Sequence, residues 1–337
     1  MILGPRETGK TSAMRYVARE MYEKGLYAFV VVFAGSPKVR AQWAEWVHPL
    51  YIHGPDLDKL KEIYRWRQTV IDEDYRAWQR AKKEDPNPER FGEEYRVPPD
   101  LRTLFIIDDM GSKKNRAFFH SETMNSIDVE GRHAGIMLMK GAHNFHDVHK
   151  DSRQQQQVVI VTDCDSDDDV KALYKGYCSR FMDFKLFKSM LFGLTATLGR
   201  SLVILKKPKN MERNADNCLG YLKTQWPEPP SYHLGSREWN DYAREHYYDA
   251  TAQRSERPPR EPSVAGYDFE VASNANSWAP SNHFTDAFNA RYQDQPKRQP
   301  IEPDRGSLVS LRKRRLPFEE YLDQRRIALP NGHLHLE

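Results

Sequence analysis

The sequence predicts an α/β fold in which a mainly parallel sheet is flanked by helices, with an irregular extension toward the C-terminus. Three observations predict it. Through residue 206, short apolar runs alternate with helical patterns, the mark of parallel strands covered on both faces. A glycine-rich loop stands directly before a helix near the N-terminus. After about residue 226 the apolar runs stop, and twelve of the 21 prolines fall there.

Five apolar runs carry the strand prediction: Tyr27–Ala34, Leu104–Ile107, Ile136–Met139, Val158–Thr162 and Ser201–Leu205. Each is short, rich in β-branched or bulky residues, and bounded by charge, glycine or proline. Only Met1, Ile2 and Leu3 precede Gly4, so the strand that delivers the glycine-rich loop is expected to be clipped or to begin upstream. Between the first two runs, Leu57, Leu60, Ile63, Tyr64, Val70, Ile71 and Trp78 form a discontinuous helical stripe, read as a helical insertion over about 56–84. Asp85–Pro99, with four prolines, reads as a loop. The predicted organisation is a core over 1–206, an extension over 207–249 with a short helix at Trp239–Asp249, and a largely disordered Pro-rich tail over 250–337.

Composition narrows the function. Hydrophobic residues make up 39% of the chain, below the usual ~45–50%, and the mean hydropathy is −0.80. A net charge of +3 gives no bulk attraction to a polyanion, so any basic footprint is local. The cluster Arg312-Lys313-Arg314-Arg315 fits an import signal, a DNA contact or a solubilising tail. Cys164, Cys178 and Cys218 lack metal-ligand spacing and suit a reducing compartment. No run approaches ~18 apolar residues, and the N-terminus lacks a signal-peptide layout, so no membrane insertion is expected.

Two motifs carry chemistry. Gly4-Pro5-Arg6-Glu7-Thr8-Gly9-Lys10-Thr11 fits G-x-x-x-x-G-K-[ST] at every fixed position and, with Ser12, is the predicted nucleotide-binding segment. Glycine lets the backbone curl around a polyphosphate, Lys10 reaches the β- and γ-phosphates, and the Thr11 hydroxyl is a Mg²⁺ ligand. A helix over Ser12–Lys24 then aims its positive end at the anion. The ligand implied is ATP with Mg²⁺. The second motif is an apolar strand, Arg102–Ile107, ending in Asp108-Asp109. Asp108 is the expected metal carboxylate. Asp109 is expected to orient or deprotonate the attacking water, a pairing that favours ATP hydrolysis over small-molecule kinase chemistry.

Together with Gly131-Arg132-His133-Ala134-Gly135-Ile136-Met137-Leu138-Met139 and the stretch from Ala142 to Arg153, these segments resemble the genome-packaging ATPases of large DNA viruses. These form the poxvirus-type branch of the FtsK–HerA superfamily of P-loop NTPases. The resemblance spans roughly residues 1–206, with Phe192–Leu205 similar to the last core helix and strand. It implies a RecA-like core and an ATP-driven translocase that packages viral genomic DNA. The implied partners are double-stranded DNA, further copies in a hexameric or pentameric ring, and capsid portal or membrane-vertex proteins. The implied location is a viral factory in host cytoplasm or nucleus, and the virion.

Within that resemblance, His143 stands where the family usually has a sensor Gln, with Asn144 beside it, and His149 stands where a Pro is often found. Arg153 matches the family's Arg after the sensor strand. Arg132 and Arg153 are candidates for an arginine finger. Two other readings remain: another P-loop enzyme, such as a helicase or a nucleoside or metabolite kinase, and an interaction protein switched by nucleotide. Three further signals are set aside. His133, His143, His146 and His149 are not read as a metal cluster, because no second ligand group has suitable spacing. Asp163–Asp169 reads as a solvated acidic loop. Trp43, Trp46, Trp66 and Trp78 read as core rather than stacking platforms.

Overall fold

A computed structural model describes residues 1–110, 115–206, 212–224 and 228–247. The tail and its basic cluster, predicted from the sequence, lie outside the described residues.

The sheet grows from the apolar runs. In chain order the strands are β1 (Ile2–Leu3), β2 (Phe29–Ala34), β3 (Ile52–His53), β4 (Thr103–Asp108), β5 (Ile136–Ala142), β6 (Val158–Val161), β7 (Arg200–Leu205) and β8 (Leu219–Lys223). They lie side by side as β3-β2-β4-β5-β1-β6-β7-β8. From β3 to β6 every pairing is parallel, as the alternation of runs and helices implies. The β6–β7 and β7–β8 pairings are antiparallel, which a short apolar run cannot reveal by itself. β2 and β4 are buried at every position, in keeping with strands covered on both faces. Each fully buried Val or Ile there contributes about 1.5–3 kcal/mol of burial.

β1 is short but held on both sides. Ile2 pairs with Gly141 and Ile160, Leu3 with Ala142 and Val161. The ladder continues beyond it through Gly4 N–H to the Ala142 carbonyl at 3.2 Å and Thr162 N–H to the Leu3 carbonyl at 2.8 Å. Two residues between two neighbours therefore deliver the loop that follows.

Ten helices flank the sheet: α1 (Lys10–Glu23), α2 (Pro37–Trp43), α3 (Leu57–Glu84), α4 (Arg116–Phe119), α5 (Glu122–Glu130), α6 (Lys150–Gln155), α7 (Asp167–Leu173), α8 (Phe184–Thr195), α9 (Ala215–Cys218) and α10 (Arg237–His246), counted among the described residues. The predicted insertion is one 28-residue helix capped by Asp56, whose side chain accepts from Asp58 and Lys59 N–H. Between its start and Ile71 it buries Leu60, Ile63, Tyr64, Val70 and Ile71. α10 is tied down by Trp239, whose ring lies 4.4 Å from Phe29 and whose carbonyl accepts from the Tyr51 hydroxyl at 2.6 Å. Lys140 of β5 and Asp128 of α5 form an ion pair with both side chains 1% exposed, and Lys140 also donates to Ser152 Oγ at 3.1 Å. No helix among the described residues is long and apolar enough to cross a membrane.

Candidate functional site

β1, β4, β5 and β6 run parallel, so their carboxyl ends open on one crevice, the usual ligand side of an open α/β sheet. The loop after β1 fills it. Gly9 caps α1 with φ 86°, and Glu7 adopts φ 65°. At Gly4, with φ 156°, a Cβ would fall 2.1 Å from Thr162 Oγ1, so no side chain fits. Thr8 Oγ1 donates to the Pro5 carbonyl at 3.0 Å and lies 2.8 Å from Thr162 Oγ1. Thr162 in turn donates to the Leu3 carbonyl at 3.0 Å. Arg6 and Glu7 are exposed, and Ser12 is half-buried on the first turn of α1. Gly4→Ala is expected to cost about 3 kcal/mol and to abolish nucleotide binding, measured by thermal unfolding and by nucleotide titration.

Lys10 is half-buried, and its ammonium donates to the Pro5 carbonyl. Burial lowers its pKa, while Asp108 and Asp109 pull it back up. Asp108, 2% exposed, ends β4. Its Oδ2 accepts two hydrogen bonds of 2.9 Å, one from Thr11 Oγ1 and one from Trp43 Nε1. Burial raises the pKa of this carboxyl, the two hydrogen bonds oppose the rise, and Asp109 adds to it. The Thr11–Asp108 contact crosses β5, which lies between β1 and β4. It passes over Gly141, where a Cβ would lie 3.3 Å from Met14 Sδ and 3.4 Å from Asp108 Oδ1. A hydroxyl beside a buried carboxylate at the foot of a glycine-lined loop suits Mg²⁺, a hard cation that takes oxygen ligands.

Asp109 follows with φ 53°, a left-handed conformation that Asp tolerates at modest cost. Gly35 makes room for it. Gly35 N–H donates to the Asp108 carbonyl at 3.0 Å, and a Cβ at Gly35 would fall 1.9 Å from the Asp109 carbonyl oxygen. Across the crevice, His143 Nε2 lies 3.7 Å from Asp109 Oδ1. Burial lowers the His143 pKa and Lys10 adds to that, against Asp109 and Asp147, which keeps the ring neutral near pH 7. Its Nδ1 has no hydrogen-bond partner among the described residues.

The structure thus brings Lys10, Thr11, Asp108, Asp109 and His143 to one place. Asn144 is adjacent, but its side chain caps a 3₁₀ turn, accepting from Asp147 N–H at 2.9 Å while Asp147 accepts in return from Asn144 N–H. Arg153 donates to the Phe145 carbonyl at 3.2 Å and lies 4.3 Å from the Phe145 ring centre. Arg132 is exposed, its Nε 3.2 Å from His133 Nε2. Beside the loop is a cleft of about 430 Å³ whose walls include Arg6, His143, Asp147, Asp163, Asp165 and Asp169.

The acidic run is a loop through Ser166, as expected, and then opens a helix. Ser166 caps α7, and Asp167, Asp168 and Asp169 occupy its first turn, where the helix dipole favours negative charge. Trp43 and Trp46 are fully buried, as expected of core residues, whereas Trp66 and Trp78 are half-buried. Sequence reading missed Trp43 as a donor to Asp108, and missed Thr162, Gly35 and Gly141. Only Thr162 left a local signal, a hydroxyl closing an apolar strand.

No protein-family model matches the chain, and no curated protein matches it in sequence. Solved structures similar to it include the genome packaging NTPase B204 from Sulfolobus turreted icosahedral virus 2 in complex with sulfate, at 12% identity and a TM-score of 0.42, covering 67% of this chain and 96% of that one. EssC (ATPases 2 and 3) from Geobacillus thermodenitrificans is similar at 12% identity and a TM-score of 0.46, covering 72% of this chain and 42% of that one. The pCW3 conjugation coupling protein TcpA is similar at 14% identity and a TM-score of 0.42, covering 67% of this chain and 60% of that one.

Proposed function

We propose that this chain is an ATPase that drives movement of double-stranded DNA, specifically the packaging of viral genomic DNA into capsids by a homo-oligomeric ring. The observation that carries the catalytic part is the convergence of Thr11 and Asp108 at 2.9 Å on the glycine loop, with Asp109 the next residue. The DNA part rests on the sequence resemblance at Gly131–Arg153 and at the double acid. Docking to a portal or membrane-vertex protein, and residence in a viral factory or virion, belong to the same reading.

Chemically, Mg²⁺ held at this site would supply positive charge that screens the phosphates. Thr11 and Asp108 would hold it. The Gly4–Ser12 backbone and the N-terminus of α1 cradle the phosphates, and Lys10 supplies the charge that grows in importance as the γ-phosphoryl departs. Asp109 orients the attacking water and takes its proton. His143, neutral and facing Asp109, is placed to report the state of the γ-phosphate. Arg132 and Arg153 are the candidates to act across a subunit boundary, and Asn144 is the alternative sensor.

The test is steady-state ATP hydrolysis with and without long double-stranded DNA. Stimulation by DNA is expected, and Asp109→Asn is expected to lower turnover by about 10²–10⁴-fold. DNA affinity should fall steeply with salt, because contacts to phosphate release counterions. Hydrolysis indifferent to DNA would sink the motor reading and favour a kinase or a nucleotide-switched interaction protein.

A further inference from the structure

Two tryptophans three residues apart, Trp43 and Trp46, are both fully buried. Their indole N–H groups fare differently. That of Trp46 has no partner among the described residues, so burial alone does not deliver one here. That of Trp43 reaches Asp108 Oδ2 at 2.9 Å, the same oxygen that accepts from Thr11.

The local fold explains the aim. Ser36 caps α2 and Pro37 opens it, while Arg40 donates to the Ala34 carbonyl at 2.9 Å and pins the helix to the end of β2. β2 is the direct neighbour of β4, with Ala34 opposite Asp108. A side chain at the last turn of α2 therefore overhangs the end of β4. The Trp43 ring also meets Arg15, whose guanidinium carbon lies 5.4 Å from the ring centre. Arg15 sits one helical turn after Thr11 on α1, so both donors to Asp108 are tied to the same helix.

We propose that Trp43 is a positioning residue of the metal site, its indole N–H fixing the Asp108 carboxylate in the orientation that receives Mg²⁺. An indole N–H is a donor only and cannot itself ligate a cation. Thr11, by contrast, carries lone pairs and can turn toward a metal. Once it does, Trp43 is the donor left to hold the carboxylate, in the manner of the outer-shell partners that orient metal ligands. This inference rests on the reading of Asp108 as a metal ligand.

The test is the affinity for a slowly hydrolysed ATP analogue, measured by calorimetry in Mg²⁺ and again in EDTA. For Trp43→Phe, affinity in Mg²⁺ is expected to fall about tenfold while affinity in EDTA stays at the wild-type value. In an Asp108→Asn background the same change is expected to add no further loss. An unchanged Mg²⁺-to-EDTA ratio in Trp43→Phe, or a further loss in the Asp108→Asn background, overturns the inference alone. A wild-type protein whose affinity ignores Mg²⁺ overturns the metal-site reading as well. Should Trp43→Phe fail to fold, the wild-type protein decides. With ¹⁵N-labelled indoles, the Trp43 resonance, identified by its displacement in Asp108→Asn, is expected to move when Mg²⁺ is added to the nucleotide complex. A resonance that stays in place overturns the inference.

Discussion

Replacing Lys10 with alanine is expected to lower ATP turnover by about 10²–10³-fold while leaving the fold within about 1 kcal/mol of wild type. The two halves of this expectation come from different facts. The catalytic loss follows because, in the proposed function, Lys10 is the cation beside the departing γ-phosphoryl. The small structural cost follows because its ammonium already bears a burial penalty, seen in its lowered pKa, against one hydrogen bond to the Pro5 carbonyl. Turnover by a coupled assay and thermal unfolding measure the two halves separately. A Lys10→Ala protein that retained its full function in cells would point to a role independent of hydrolysis.

Asp108→Asn should separate stability from activity more sharply, because the two should move in opposite directions. The folded state holds a proton on this carboxyl more tightly than the unfolded chain does, since burial raises its pKa. The favourable contribution of such a group is present below the usual carboxylate range and is lost as pH rises through the raised value. At neutral pH the raised pKa is thus a cost to the free protein. Asparagine keeps an acceptor for Thr11 and Trp43 and does not titrate. The variant is expected to gain about 1 kcal/mol, or about 2–4 °C in midpoint, at pH 7 without nucleotide, and to lose the gain at acid pH. Turnover should fall by about 10²-fold or more, because the carboxylate proposed to hold the metal is gone. A difference in midpoint between variant and wild type that is the same at pH 7 and at acid pH would refute the electrostatic account.

How far the sequence reveals this molecule depends on the range of the forces involved. The glycine loop, the start of α1 and the Asp108-Asp109 pair are local patterns, legible because a few consecutive residues specify each. The strands of the sheet centre are legible for a related reason: Phe29–Ala34 and Thr103–Asp108 are buried on both faces and so read as unbroken apolar runs. The edges are not. Ile52–His53 is too short to show a period, and in Leu219–Lys223 three of five residues are exposed, with Gly220 and Tyr221 breaking the apolar signal. The acidic stretch before Val170 is largely exposed, as its charge implies, but charge alone does not show that its last three aspartates open a helix and complement its dipole. Least legible are residues whose role is a meeting of distant segments. Trp43 meets Asp108 across 65 positions, and Thr162 meets Thr8 across 154.

Gly141 contributes nothing to the chemistry and yet sets a tolerance for all of it. β5 is a spacer one strand wide between the half of the site that carries Thr11 and the half that carries Asp108. Its single missing side chain is the clearance through which the two halves touch. Substitutions there should act as a gauge block of the wrong thickness, wedging Met14 and Asp108 apart by a few tenths of an ångström with every ligand residue still in place. A position that limits this site therefore need not be one that any nucleotide contacts.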